Sequence, residues 1–188
     1  MTPGRRPGTR GIVIAGVRSA LSERIERDIV GAGSAVHRIG RPDDLAAVGR
    51  TSLPASRAVL HVELPPCGGR ELREFRRGLA AQAFALSRLM GARASILVVA
   101  GHRVDTDGSR LYGLGGMLTR MRAAAQQELA LTVSVNALVL SGRVDDDTVS
   151  YRVLEAMRGR ALPDSDFVIR DEDVRTLSIS DAITEERS

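Results

Sequence analysis

The sequence predicts a single α/β domain, a doubly wound, Rossmann-like parallel sheet with helices on both of its faces. Short runs that are apolar throughout alternate with longer segments in which apolar residues recur every three or four positions. Strands that are apolar on both sides belong to parallel sheets covered on both faces. The length, 188 residues, suits one ordinary domain and is too short for two comfortable ones.

The strands are predicted from the apolar runs and from the glycines or prolines that end them. The first run, Gly-Ile-Val-Ile-Ala-Gly, indicates a buried strand, and a last short run past Pro163 indicates an edge strand. The predicted strands are Gly11 to Gly16, Ser34 to Ile39, Ala58 to Leu64, Ser95 to Ala100, Thr132 to Leu140 and Phe167 to Ile169.

The helices are predicted from apolar periodicity and from capping residues. Ser19 is a candidate N-cap for a first helix that Gly31 and Gly33 end, and Pro42 opens a short second one. Two long amphipathic helices follow, and then a shorter one. Their predicted bounds are Arg70 to Met90, about Tyr112 to Ala130, and Val149 to Arg158.

The two ends of the chain differ in charge from the middle. Residues 1–10 alternate Pro and Gly with Arg and Thr and predict a disordered basic arm. We expect the domain to span residues 11–170, and residues 171–188 to form an acidic tail that frays. No apolar run approaches the length of a membrane span, and the short run near the N-terminus has no cleavage site after it, so we expect a cytoplasmic protein that binds no membrane.

Composition excludes several kinds of chemistry. All 27 basic residues are Arg, so no mechanism here uses a lysine. A net charge of +4 favours nucleic acid, but the arginines are scattered and only 3% of residues are aromatic, so nucleic-acid binding is not expected. No metal site is expected either. Cys67 is alone, Asp145 to Asp147 indicate a solvated turn, and the histidines lack ligand spacing: His37, His61 and His102.

The turn after the first strand resembles the phosphate-binding turn of the short-chain dehydrogenase/reductase family, Gly-x-x-x-Gly-x-Gly. Gly16 matches its first glycine, while Ala20 and Ser22 stand where the second and third would be. Downstream, Ser-Ile-Leu-Val-Val-Ala-Gly resembles the strand before the family's catalytic serine, and Val-Asn-Ala-Leu-Val-Leu-Ser-Gly resembles its later Val-Asn-Ala strand. Tyr112 lies at the expected distance between them, so the resemblance covers about Gly11 to Thr148.

The resemblance implies a catalytic tyrosine, serine and asparagine, and a lysine one helical turn after the tyrosine. Tyr112 is present, but the lysine position is Gly116. A free phenol has a pKa near 10, so without a neighbouring cation it is a poor acid/base at neutral pH. The serine position falls on Ala100 or Gly101, and the asparagine position on Leu79 or Gln82.

The cofactor loops depart from the family pattern in the same way. The family's Asn-Asn-Ala-Gly is replaced by the segment from His61 to Pro66, and the expected threonine is Asp146, with Thr148 close by. Arg41 resembles the arginine that meets the 2′-phosphate of NADP(H), and Arg18 could meet a phosphate. The favoured interpretation, however, is that both are surface arginines of an Arg-rich chain. We therefore expect no cofactor, and NADP(H) if there is one.

The two long helices resemble those through which family members form dimers. Their apolar stripes are expected to be an association site: Leu72, Phe75, Leu79, Ala83, Leu86, Leu114, Met117, Leu118 and Met121. The leading hypothesis is a non-catalytic scaffold or regulatory subunit that pairs with itself, or with an active family member of the ketoacyl-reductase type. The alternatives are an NADP(H)-dependent reductase that uses Tyr112 without lysine, and a sensor that binds the dinucleotide without turnover.

Overall fold

The computed structural model describes residues 11–40, 55–63, 70–90, 93–101, 112–129, 132–159, 162 and 167–186. Its strands are β1 (Gly11–Gly16), β2 (Val36–Ile39), β3 (Ala55–Glu63), β4 (Arg93–Gly101), β5 (Thr132–Val139) and β6 (Val168–Arg170). Its helices are α1 (Ala20–Gly31), α2 (Arg70–Met90), α3 (Tyr112–Leu129), α4 (Asp146–Arg158) and α5 (Ile179–Glu186), with a 3₁₀ turn at Asp173–Arg175.

The six strands form one parallel sheet in the order β2-β1-β3-β4-β5-β6. The chain moves outward from β1 to β2, returns to β3 on the other side of β1, and then proceeds in one direction. Flavodoxin-type sheets have this order, and the common dinucleotide-binding order acquires it when its third strand is removed. Both kinds of sheet bind ligands outside the carboxyl ends of the strands where the direction reverses, which here is the crevice between β1 and β3.

The sheet separates two apolar cores. On one face α2 and α3 pack against alternate residues of the central strands, such as Leu60, Ile96 and Val135. On the other face α1, α4 and α5 pack against the residues between them, such as Ile14 and Leu97. The expected doubly wound architecture is confirmed, because helices cover both faces of a sheet whose strands are buried on both sides.

The strands and helices begin and end close to where the sequence places them. Helix α2 has the predicted bounds, and Ser19 caps α1 as expected. Strand β2 begins two residues later than predicted, and β3 begins three residues earlier, at Ala55. Strand β6 pairs only with β5 among the described strands and lies at the sheet edge, as predicted.

Asp145 to Asp147 are exposed, as predicted, but they begin helix α4 and do not form a separate turn. Asp145 is the N-cap of α4, and its carboxylate accepts hydrogen bonds from the backbone N–H and the hydroxyl of Thr148. Asp146 and Asp147 form the first turn of the helix, where the helix dipole stabilises negative charge. The helix therefore begins three residues before the predicted start at Val149.

Residues 171–186 are a packed segment rather than the expected frayed tail. Val174, Ile179 and Ile183 are buried against the core that α1 and α4 share. Asp171 is also buried, and its carboxylate accepts a hydrogen bond from the backbone N–H of Ser141. The acidic residues of this segment alternate with apolar ones at helical spacing, so net charge alone gave the wrong expectation.

Several expectations fall outside the described residues: the basic arm, the short helix that begins at Pro42, and the loop that contains Cys67. Within the described part of the chain, none of the helices combines the length and apolarity that crossing a membrane requires.

Candidate functional site

The turn after β1 lies at the crevice where a doubly wound sheet binds its ligands. Gly16 has a φ of +97°, and the backbone N–H of Val17 donates to the carbonyl oxygen of His61 at 2.9 Å. A Cβ at position 16 would lie 2.0 Å from that oxygen. Glycine is therefore required here by the close approach of β1 to the end of β3, whether or not a ligand binds.

Two N–H groups at the N-terminus of α1 are bonded to the chain's own side chains. Ser19 accepts a hydrogen bond from the backbone N–H of Ser22 at 3.1 Å, and Ser22 accepts one from the backbone N–H of Ser19 at 2.9 Å, which makes a reciprocal capping box. A phosphate at this helix end would have to displace the Ser19 hydroxyl from the N–H of Ser22.

The residues predicted to hold a cofactor phosphate do not form one binding surface. Ser22 is buried, and its hydroxyl donates to the carbonyl oxygen of Ser19 and accepts from Arg38, so no hydrogen-bonding capacity faces the crevice. Ala20 is exposed in the first turn and has no polar side-chain atom. Arg18 is exposed and forms an ion pair with Glu23 at 2.7 Å. Arg41 lies outside the described residues.

Arg38 on β2 is a polar residue of this region that the sequence did not single out. Its guanidinium donates to Glu26 at 3.0 Å and to the Ser22 hydroxyl at 3.1 Å, both on α1. An arginine inside a short strand was the available signal, since a charged residue at such a position needs a partner. These two hydrogen bonds connect β2 to the first turns of α1 and occupy the guanidinium of Arg38.

His61 is a buried residue at the carboxyl end of β3. Its ring nitrogen Nδ1 lies 3.1 Å from the carbonyl oxygen of Val17, so Nδ1 carries the proton and donates. Nε2 is directed toward the end of β4, 3.7 Å from where a Cβ of Gly101 would be. Burial lowers the pKa of His61, and the neighbouring Val17 carbonyl and Glu63 offset this only in part. The imidazole is therefore neutral at pH 7.

The serine and lysine positions of the family carry no polar side chain here, and the asparagine position is either the buried Leu79 or the half-buried Gln82, whose amide is polar. Ala100 and Leu79 are buried apolar residues, and Gly101 ends β4. Gly116 is exposed on α3, and its carbonyl oxygen accepts from Nε of Arg120 at 3.0 Å. Tyr112 begins α3, but its side chain lies outside the described residues.

The expectation that the apolar stripes of the two long helices are exposed is wrong for nearly every described side chain. Phe75 is half-buried, whereas the side chain of Leu72 is outside the described residues. The others are buried in the chain's own core against the sheet: Leu79, Ala83, Leu86, Leu114, Met117, Leu118 and Met121. The strongest apolar stripe of an amphipathic helix packs against the nearest sheet, which here belongs to the same chain.

A second apolar surface lies on the outer side of these helices, in a groove of about 520 Å³ between α2 and α3. We call it the arginine groove. Its floor consists of small or apolar residues: Ala80, Ala81, Phe84, Met117, Met121 and Ala124. Its rim carries four arginines: Arg73, Arg76, Arg77 and Arg120. The signal in the sequence was a second face of α2 with helical spacing, which carries first arginines and then alanines and a phenylalanine: Arg73, Arg76, Arg77, Ala80, Ala81 and Phe84.

Comparisons of the sequence with protein-family models and with curated proteins found no match.

Proposed function

We propose that this chain is a non-catalytic relative of the short-chain dehydrogenases/reductases that acts as a scaffold or regulatory subunit, binding another protein chain across the arginine groove. The groove is the observation that carries the proposal. It is open, its floor is apolar, and it lies on the two long helices through which members of the resembled family form dimers. An apolar groove is a recurring docking site for an amphipathic helix of another protein.

The state of the catalytic positions supports a non-catalytic role. The sequence contains no lysine, and the lysine position, Gly116, carries no side chain. Arg120 is the arginine next to Gly116 on α3, and it lines the groove on the outer side of the helix. The position one helical turn after Tyr112 thus supplies none of the cation that, in the resembled family, makes the phenol a useful acid/base near neutral pH.

The phosphate turn supports the same conclusion about cofactors. The capping box of Ser19 and Ser22 already uses two of the N–H groups at the helix end where a pyrophosphate would bind. Glu23 places a carboxylate in the first turn of α1, which disfavours a second anion there. We therefore expect that NADP(H) and NAD(H) do not bind the isolated chain.

Calorimetric titration of the purified protein with NADPH and with NADH tests this part of the proposal. The expected result is no saturable heat up to millimolar cofactor. Saturable binding with a dissociation constant below about 100 μM would overturn it and favour the reductase or the dinucleotide sensor. Turnover that Tyr112→Phe abolishes would then identify the reductase.

Site-specific photo-crosslinking in the cells that naturally produce this protein tests whether a partner binds in the arginine groove. A photoreactive residue replaces Ala81, which is exposed in the groove, or Arg27, which is exposed on α1 at the other face of the sheet. We expect a discrete cross-linked species from position 81 and none from position 27. Equal labelling from both positions, or none from either, would contradict a partner in the groove.

A further inference from the structure

We propose that the arginine groove selects a partner helix that carries Asp and Glu beside an apolar stripe, and that it disfavours a second copy of this chain. The inference rests on the proposed function, because it names the chemistry of the partner that the groove would bind. Two features carry it, the charge of the rim and the apolar character of the floor.

The rim of the groove has one sign of charge. Four arginines line it, and no aspartate or glutamate is among the described lining residues. Arg77 and Arg120 are exposed and Arg76 is half-buried. Glu74 on α2 forms an ion pair at 2.7 Å with Arg70, which is not among the described lining residues.

Self-association through this surface would be electrostatically unfavourable. A two-fold symmetric interface uses the same patch of each copy, so it would bring the four rim arginines of both copies into one interface with no aspartate or glutamate among the described lining residues. Like charges juxtaposed in an interface disfavour the complex, whereas carboxylates opposite guanidinium groups form charge-assisted, often bidentate, hydrogen bonds. The charge of the rim therefore favours a different, acidic chain.

The floor and the layout of the rim indicate the shape of that partner. Alanines give shallow space for a helix to approach closely, and the methionines Met117 and Met121 adapt to the side chains they meet. Phe84 is half-buried and is the one aromatic residue among the described lining residues, so a platform for stacking nucleic-acid bases is not provided. Three of the four rim arginines, Arg73, Arg76 and Arg77, lie in the first turns of α2, so most of the partner's carboxylates belong at one end of its apolar stripe.

Two synthetic helical peptides of about five turns test the inference with the full-length protein. They share a stripe of Leu and Ala and differ only in flanking residues at one end, which are Glu in one peptide and Lys in the other. In fluorescence anisotropy at low salt we expect the Glu peptide to bind at least about tenfold more tightly than the Lys peptide. This preference should shrink at high salt, because exposed charges are screened.

Charge reversal inside and outside the groove provides the matched control. Arg76→Glu/Arg77→Glu leaves two positive and two negative side chains on the rim and should abolish the preference, whereas Arg27→Glu/Arg170→Glu, which makes the same change of net charge on exposed residues outside the groove, should leave it. Circular dichroism and thermal melting check that both variants are folded. Equal binding of the two peptides, a preference that the groove variant does not alter, or displacement by single-stranded RNA would overturn the inference.

The oligomeric state separates the failure of this inference from that of the proposed function. We expect the chain alone to sediment as a monomer at micromolar concentration. If the chain forms a dimer and Phe84→Glu dissociates it, the inference of an acidic partner is overturned, but the proposal that the groove binds another chain is retained. Absence of peptide binding together with absence of cross-links from position 81 would overturn both. Cross-links from position 81 without any preference for the Glu peptide would overturn only the present inference.

Discussion

Gly16 is a residue whose identity is fixed by a single contact. Its backbone lies in the left-handed region, and the carbonyl oxygen of His61 occupies the space that a side chain would need. Gly33 has a similar φ of +81° at the end of α1, but nothing lies within 4 Å of the position of its Cβ. The two glycines therefore separate the cost of backbone conformation from the cost of a clash.

We predict that Gly16→Ala destabilises the protein more than Gly33→Ala does. The strain of a positive φ costs alanine about 1–2 kcal/mol at either position, whereas the clash with His61 acts only at position 16. Urea unfolding followed by circular dichroism measures both free energies of unfolding. Equal losses would show that the end of β3 moves aside without cost, contrary to the prediction.

His61 makes stability depend on pH, because its pKa is lowered in the folded protein by burial. In the unfolded chain the imidazole titrates near its usual value of about 6.5. Between the two pKa values the unfolded chain binds more protons than the folded one, so the free energy of unfolding rises with pH. The stabilisation is complete above about pH 7 and is lost as the pH falls through the folded pKa.

We predict that the free energy of unfolding falls as the pH is lowered from about 7 to about 5.5, and that His61→Gln removes most of this slope. Glutamine retains an N–H donor for the carbonyl of Val17 but has no proton to gain in this range. His37→Gln, which keeps His61, serves as the control and should retain the slope. A slope unchanged in His61→Gln would assign the effect to other groups.

Helices α2 and α3 show how one element presents two apolar faces with different roles. Leu79, Ala83 and Leu86 lie on the face of α2 that packs against the sheet, and Ala81 and Phe84 lie on the face that lines the arginine groove. Periodicity finds the first face, because it is the more apolar one. It does not distinguish a stripe that covers its own sheet from one that contacts another protein.

We predict that Leu86→Ala lowers folding stability, whereas Ala81→Glu leaves stability nearly unchanged and alters the groove. Leu86 is fully buried, so its truncation should cost about 2–5 kcal/mol of folding stability. Ala81 is exposed, so Ala81→Glu should change stability by less than about 0.5 kcal/mol while placing a bulky charge on the groove floor. Thermal unfolding and peptide binding, measured on both variants, check the two parts. Severe destabilisation by Ala81→Glu would place position 81 in the core and contradict this assignment.

Most elements could be predicted because their signals are local. The glycine-ended apolar run of β1, the Ser19 cap and the periodicity of α2 each depend on neighbours in the sequence. The start of α4 was missed because three successive aspartates indicate a turn unless the first of them is recognised as an N-cap. For the candidate site, the sequence placed Gly16, Ala20 and Ser22 on one turn, but it could not foresee that Ser22 is engaged by Arg38 from another strand.

At the scale of the whole molecule, contacts between segments that are distant in sequence stabilise the structure. The guanidinium of Arg57, near the start of β3, donates to the carbonyl oxygens of Ala156, Met157 and Gly159 at the end of α4. These are carbonyls that a helix end otherwise leaves to water. The segment 171–186 covers the same side of the sheet and buries Val174, Ile179 and Ile183. Its acidic composition does not reveal this role.

We predict that a chain ending at Arg170 does not unfold cooperatively, because the apolar surface that residues 171–186 cover is exposed. The milder variant Ile179→Ala should fold and lose about 2–5 kcal/mol, whereas Glu185→Ala, an exposed position on the same helix, should be near neutral. Differential scanning calorimetry measures all three. If the shortened chain unfolds in a sharp transition at the melting temperature of the full-length chain, the prediction is contradicted and residues 171–186 are a frayed tail.

By itself the sequence determined the doubly wound parallel fold, the bounds of its longest helix and the absence of lysine chemistry. These follow from the periodicity and composition of contiguous residues. Only the tertiary structure decided which apolar face of α2 is core and which is groove, that the C-terminal segment is packed, and that Arg38 engages Ser22. Each of these depends on which element lies opposite, and a pattern along the chain carries no information on the distance to residues remote in sequence.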